Sequence, residues 1–225
     1  AGVNDAAVDG ESRLAANPNC TTIVLCHALA PLVAACGLKA VWAASYQSVS
    51  GAGRDAAAGL LEETGRLLEE HDGDPAVPGN PETTGFNVLP AIGAMDDAGR
   101  CSEESKLINE TRKIISIPAL PVIAHTVRVP VTVGHGIAVT VELETEASMS
   151  GLQAAWRDAP DIRYMEAGLP TPAGAAQHDQ VEVGRLRQED NAGKIFSFFA
   201  CGDNINIAAA LNGWRIYQLL ARAFN

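Results

Sequence analysis

Cys20 is the residue best placed for nucleophilic chemistry. It follows the turn-forming triplet Asn17-Pro18-Asn19 and opens an apolar run, so it falls at the predicted start of a helix. Free amide N–H groups and the positive end of the helix dipole favour a thiolate there and lower the thiol pKa. The same amides suit a developing oxyanion on an attacked carbonyl. A buried cysteine acting as a small hydrophobe fits the position as well. Cys26, Cys36 and Cys201 lie in apolar runs and read as core, while Cys101 lies in a polar loop and reads as a bystander.

A thiol nucleophile needs a base. His135 follows a predicted strand between Gly134 and Gly136, which leave an imidazole accessible and let a substrate approach the backbone. A solvated turn histidine fits the same context. His125, mid-strand, reads as a satisfied structural residue. Arg128 lies seven residues before His135, an odd spacing that puts the two on opposite faces of a regular strand. Val-Pro-Val and the glycines interrupt that regularity, so the spacing leaves the question open. An Arg within an apolar strand wants an anionic partner, structural or substrate. Glu103 and Lys106, three apart at a helix start, share a face. Gln47 follows a strand and precedes Ser50-Gly51-Ala52-Gly53, where its amide could reach a cleft. Cys20, Cys26, His27 and Cys36 lack the paired spacing of a zinc site, and no metal site is expected.

These residues need a frame. Helices are predicted from about Cys20, with Pro31 kinking or splitting the first. Others follow over about 53–70, with a Leu60/Leu61/Leu67/Leu68 stripe, and over 103–115, with Ser102 as N-cap. A further helix is predicted near 147–157, and a last one over 206–223 with Leu211, Trp214, Leu219 and Leu220 on its apolar face. Strands are predicted near 39–45, 122–129, 137–144, 162–166, 180–186 and 194–200. The segment to Ala16 reads as an opening arm, and residues 72–100, rich in Pro, Gly and Asp, as a long loop. Mixed elements without strict βαβ alternation imply one α+β domain over 1–225: a mixed, largely antiparallel sheet with helices packed on one face.

The 225 residues carry 16 basic and 27 acidic side chains, a net charge of −11, and 47% are hydrophobic. That is a globular composition able to bury a core. The acidic balance argues against nucleic-acid or anionic-membrane partners. The longest apolar stretch, Ile23 to Cys36, falls short of the roughly 18 residues of a spanning helix. The opening residues have no basic start and no apolar segment of a signal peptide. Five thinly spread cysteines favour reduced thiols and a cytoplasmic setting. No G-x-G-x-x-G or Walker-type loop is present.

Several motifs occur in collinear order. They are NPNCTTI around Cys20, SYQSVSGAG around Gln47, FNVLP at 86–90, EESKLINETRK at 103–113, RVPVTVGH at 128–135, VGRLRQ at 183–188 and GDNINIAAALN at 202–212. In this arrangement the chain resembles the catalytic half of the aspartate-semialdehyde dehydrogenase family over nearly its whole length. The resemblance implies a fold like the C-terminal domain of glyceraldehyde-3-phosphate dehydrogenase. It implies NADP-dependent interconversion of aspartyl-β-phosphate and aspartate β-semialdehyde, in the pathway to lysine, methionine and threonine. It also implies a homodimer or homotetramer joined through a sheet surface.

Carried over by residue, the resemblance makes Cys20 the nucleophile of an acyl-thioenzyme, His135 the general acid/base and Gln47 the residue that orients substrate. Arg128 grips the substrate carboxylate, Glu103 meets its amino group, Lys106 binds phosphate, and Asn19 lies where phosphate contacts fall. Ser50, Gly51 and Asn212 match positions at the nicotinamide end of NADP. Two features depart from the family pattern. Its N-terminal Rossmann domain has no counterpart in this chain, which should therefore bind NADP poorly by itself. The family also usually has a basic residue and Gly where Ile207 and Ala208 stand. The rival expectations are a non-catalytic dimerisation module of the same fold, and a relative acting on another acyl phosphate or acyl-CoA.

Overall fold

The computed structural model describes residues 1–9, 11, 14–72 and 81–223; parts of the expected opening arm and of the long loop lie outside the described residues. Helix α1, Cys20–Cys36, leads into strand β1, Leu38–Gln47, and a 3₁₀ turn over Val49–Ala52 leads into α2, Arg54–Glu70. After the loop come α3, Ser102–Ile114, and strands β2, Val122–Arg128, and β3, His135–Leu143. Next are α4, Met149–Arg157, β4, Ile162–Tyr164, and the single turn α5, Pro172–Ala175. Strands β5, Val181–Gln188, and β6, Ile195–Gly202, precede a π-helical turn, Asn206–Ala210, that runs into α6, Leu211–Ala223.

The six strands form one sheet in the order β2-β1-β3-β6-β5-β4. The edge pairs β1–β2 and β4–β5 are parallel, and the three inner pairings are antiparallel. The expected α+β class with a mixed, largely antiparallel sheet is what forms. Alternation gives the sheet two unlike faces. Along β1, Val41, Ala43, Ser45 and Gln47 turn to a covered face, while Trp42 and Tyr46 stay 39% exposed on the other. Helix α1 is apolar all round, as a buried helix must be, and packs into the core with Val24, Leu25, Leu29 and Leu32 fully buried. Trp156 of α4 ties in beside it by donating its indole N–H to the Ala28 carbonyl at 2.8 Å.

Some sequence expectations need correction. Pro31 neither splits nor ends α1, which continues to Cys36 and loses only the amide bond that Pro31 cannot donate to the preceding turn. The N-cap of α3 is Cys101, not Ser102. Cys101 is buried, its Sγ lies 3.1 Å from Thr126 Oγ1, and its amide donates to Glu104 in a capping box. It is therefore structural rather than a bystander. His125 lies exposed on the open face. Of the leucine stripe on α2 only Leu60 and Leu67 are buried. Trp214 is 56% exposed and stacks on Tyr217 instead of packing inward.

Candidate active site

Cys20 is the first residue of α1, capped by Asn19, whose side-chain oxygen accepts from the amides of Thr21 and Thr22 at 3.0 and 3.3 Å. The cap fixes where the helix starts and so where the thiol stands. Beneath it lies one rung of the sheet. Gln47, last in β1, pairs with Arg128, last in β2, on one side and with His135, first in β3, on the other. Residues directly opposite share a face, so all three side chains point to the helix-covered side. The odd spacing of Arg128 and His135 causes no conflict, because β2 ends at one and β3 begins at the other, with a non-strand link between.

Cys20 Sγ lies 3.2 Å from His135 Nε2. The imidazole is fully buried, and that burial pushes its pKa down to about 4. The positive Arg128 acts in the same direction, while the Gly134 carbonyl and Asp203 oppose it. The ring is thus neutral near pH 7. Burial also pushes the Cys20 thiol up, as does the negative Glu103 nearby; bonds from Thr21 offset this only in part. The expectation of a lowered thiol pKa is corrected here, because desolvation outweighs the helix-end amides. The resting pair is a thiol beside a neutral imidazole rather than an ion pair.

Glu103 and Lys106 share the first turns of α3. Glu103 accepts from Lys106 Nζ at 2.8 Å with one oxygen and from Asn19 Nδ2 at 2.6 Å with the other. This links α3 to the cap of α1. The carboxylate beside it raises the Lys106 pKa, so the ammonium holds its charge. Arg128 is half-buried, which lowers its pKa, and donates to the Ser48 carbonyl. A cavity of about 490 Å³ opens beside it, lined by Val49, Leu60, Leu89 and Ile92 among others. Gln47 is buried and donates to Ser45 Oγ at 3.2 Å.

Ser50 and Gly51 lie in the 3₁₀ turn over this rung. A Cβ on Gly51 would stand 3.3 Å from Arg128 Nη1 and 3.5 Å from the His135 ring, so the turn packs its bare backbone closely against both. Asn212 is buried and already engaged, accepting from the Ala1 nitrogen and donating to Asn17. It reaches the site only through the residues before Cys20. Ile207 is fully buried in the core and presents no charge. Among the described residues no group of His, Cys, Asp and Glu side chains could hold a metal, and no helix is long and apolar enough to cross a membrane. Sequence reasoning missed Ser48 and Asn204. Both are buried behind His135 and bonded to each other at 3.1 Å across 156 residues of chain. Both lie inside motifs singled out above, which was the available signal.

The α+β frame thus brings a thiol and a neutral imidazole into contact at one end of a helix-covered sheet. The family model described as "Semialdehyde dehydrogenase, dimerisation domain" matches residues 29–207, and the chain belongs to that family. It is 37% identical over 97% of its length to an aspartate-semialdehyde dehydrogenase of Streptomyces akiyoshiensis, covering 68% of that protein. It is 34% identical over 98% of its length to one of Bacillus subtilis, covering 66%. A crystal structure of aspartate semialdehyde dehydrogenase II of Vibrio cholerae complexed with ASA superposes with a TM-score of 0.84 at 33% identity. That match covers 93% of this chain and 62% of the other. A probable aspartate-semialdehyde dehydrogenase of Pseudomonas aeruginosa superposes with a TM-score of 0.89 at 25% identity, over 100% and 68%. The chain spans about two thirds of the length of the relatives it matches.

Proposed function

We propose that this chain carries the acyl-transfer and subunit-contact machinery of an aspartate-semialdehyde dehydrogenase, which reductively dephosphorylates aspartyl-β-phosphate to aspartate β-semialdehyde on the route to lysine, methionine and threonine. The observation that supports this most is the 3.2 Å contact between Cys20 Sγ and His135 Nε2, over a rung that also carries Gln47 and Arg128. The likeness to named relatives along nearly the whole chain supports the choice of substrate.

Cys20 attacks the acyl phosphate carbonyl. The C–S bond forms, the C–O bond to phosphate breaks, and His135 takes the thiol proton. Arg128 grips the substrate carboxylate with its planar fork, and Glu103 meets the ammonium. Held at both ends, the carbonyl is brought to the sulfur, and Gln47 sets its angle. Lys106, with Asn19 beside it, neutralises the departing phosphate. A nicotinamide cofactor, NADP by the resemblance, supplies the hydride for the thioester when bound. Ser50 and Gly51, in the turn packed against His135, would hold its reactive end. Asn212 would join them only by exchanging a present partner. His135 gives its proton to the oxygen of the thiohemiacetal and takes it back as the C–S bond breaks, so that the aldehyde forms and the proton returns to the Cys20 thiol. The resemblance assigns the dinucleotide-binding unit to the third of each relative outside the match.

The open sheet face, with Trp42, Tyr46, Ile123 and Phe199 around a shallow surface rimmed by Arg185 and Arg187, supplies the contact between two copies. Incubation with aspartyl phosphate tests the acyl chemistry without cofactor. Intact mass should show one acyl adduct, absent in Cys20→Ala, and phosphate-dependent oxidation of the semialdehyde with NADP should require the same thiol. A wild-type chain that takes up no acyl group at Cys20 would overturn the reading.

A further inference from the structure

The proposed chemistry asks opposite things of one nitrogen. Nε2 of His135 must accept the thiol proton at one stage and present a proton to substrate oxygen at another. A neutral imidazole whose proton already sits on Nε2 cannot accept a second one there, so what faces Nδ1 decides what Nε2 can do. Two groups bonded to Nδ1 belong to Ser48, beside the Gly134 backbone that also favours a proton on the ring. The Ser48 backbone N lies 3.1 Å from Nδ1 and its hydroxyl oxygen lies 3.1 Å from the same atom. The amide can only donate, which supports the proton on Nε2. The hydroxyl oxygen can accept, which supports it on Nδ1, provided its own proton points elsewhere.

Asn204 provides that direction. Its side-chain oxygen accepts from the Gly134 amide at 2.8 Å and lies 3.1 Å from Ser48 Oγ. An amide oxygen cannot donate, so Asn204 Oδ1 receives protons from the hydroxyls in reach, Ser48 Oγ and, at 3.3 Å, Ser50 Oγ; with the Ser48 proton on it, the lone pairs of Ser48 Oγ face Nδ1 and Ser50 Oγ. Asn204 Nδ2 is held in turn by donating to Ser50 Oγ at 3.0 Å. Ser48 is fully buried and Asn204 is 4% exposed, so water does not compete for these bonds.

We propose that Ser48, oriented by Asn204, is a positioning residue that lets neutral His135 carry its proton on Nδ1, and so leaves Nε2 free to accept the Cys20 proton and later return it. When the S–H bond of Cys20 breaks, its proton goes to Nε2. Nδ1–H donates to Ser48 Oγ, and the Ser48 proton stays on Asn204. The imidazolium later returns a proton from Nε2 to substrate oxygen, and the ring is neutral again. This deepens the proposed function and rests on it for the substrate step, but not for the tautomer itself.

The test needs no substrate. In ¹⁵N-histidine-labelled protein, with His135 assigned by comparison with His135→Asn, the wild type should show a populated Nδ1–H tautomer. Ser48→Ala keeps the amide and loses the acceptor, and should shift the ring to the Nε2–H form. Its rate of Cys20 alkylation by iodoacetamide at neutral pH should fall about tenfold, a fraction of what a general base supplies. Ser48→Thr should restore both readouts. A wild-type ring with only the Nε2–H form would overturn the proposal even if Ser48→Ala failed to fold, as would a Ser48→Ala protein with unchanged tautomers and alkylation. Absence of turnover with aspartyl phosphate would count against the proposed function and leave these readouts untouched.

Discussion

The two faces of the sheet solve different problems with the same strands. On β1, alternate residues serve each: Ser45 and Gln47 are buried under the helices, and Trp42 and Tyr46 face outward. The covered face concentrates polar groups at one end, where Arg128, Gln47 and His135 stand in a row and each has a partner. The open face sets aromatics among solvated polar groups such as Thr140, Arg185 and Arg187: Tyr46 stacks near Phe199 at 6.1 Å and Trp42 lies beside Ile123. Buried polar groups specify geometry, because each must be satisfied. Exposed apolar ones specify only that something should cover them. A change on one face should therefore alter chemistry and leave assembly intact, and the converse should hold on the other.

The sharpest break is at the sulfur. Cys20→Ala should abolish acyl uptake while sedimentation still reports the wild-type oligomer. Loss of assembly in that variant would mean the faces are not separable. Arg128→Lys keeps the charge but loses the fork, and should lower kcat/KM at least about a hundredfold, on the scale of a bidentate carboxylate contact. Its bond to the Ser48 carbonyl adds a second reason for loss, so a stability measurement must accompany the kinetics.

The pH dependence separates the faces further. His135 has a folded pKa of about 4, below the ordinary histidine value of 6.5. In that window the unfolded chain binds the proton and the folded chain does not, so stability should rise with pH from about 4 to 6.5 and level off above. The shift corresponds to on the order of 3 kcal/mol. Urea unfolding at both ends of the window, in wild type and His135→Asn, measures it. The variant should lose the His135 share of the slope and keep that of buried His27, whose pKa burial also lowers; an unchanged slope would place the whole source elsewhere. On the open face, Trp42→Glu should convert the assembly to monomer at micromolar concentration with the Cys20 acylation rate within about twofold of wild type, since it removes apolar area and adds charge only there.

Much of this was legible in the sequence because the signals were local. The Asn-Pro-Asn turn before an apolar run places the start of α1 at about Cys20, where it falls, and the six expected strands lie within a few positions of those that form. The residues that the structure gathers at Cys20 were likewise identifiable, by position in motifs rather than by contact. What failed was tertiary. The helix-end argument for a thiolate at Cys20 used only neighbours in sequence. Burial and Glu103, which act against it, come from packing and from another helix. Cys101 looked like a loop residue because its partners, Thr126 and the Glu104 capping box, form only when α3 packs on β2. His125 alternates as a buried strand residue would, but no pattern says which face of an unpaired sheet is covered. Asn204 could not be connected to Ser48 without the pairing of β3 with β6 and β1 that brings them together.

Asn19 gives the smallest and most discriminating test, because it sits where the local and tertiary signals meet. Its oxygen caps α1, and its amide nitrogen donates to Glu103 at 2.6 Å. Replacement by Ala removes both and should lower stability by about 1 kcal/mol through the cap alone. Replacement by Asp keeps an acceptor for the Thr21 and Thr22 amides but sets a second carboxylate against Glu103. If the cap is all that matters, Asn19→Asp should match wild type at every pH. If the link to α3 matters equally, Asn19→Asp should be less stable than wild type at neutral pH. It should recover as pH falls through the carboxylate range, where one proton relieves the repulsion. Asn19→Ser, a good cap with no charge, should then fall between wild type and Ala at all pH values. Thermal denaturation of the three variants against pH therefore reads separately how α1 is started and how it is held over the rung that carries His135.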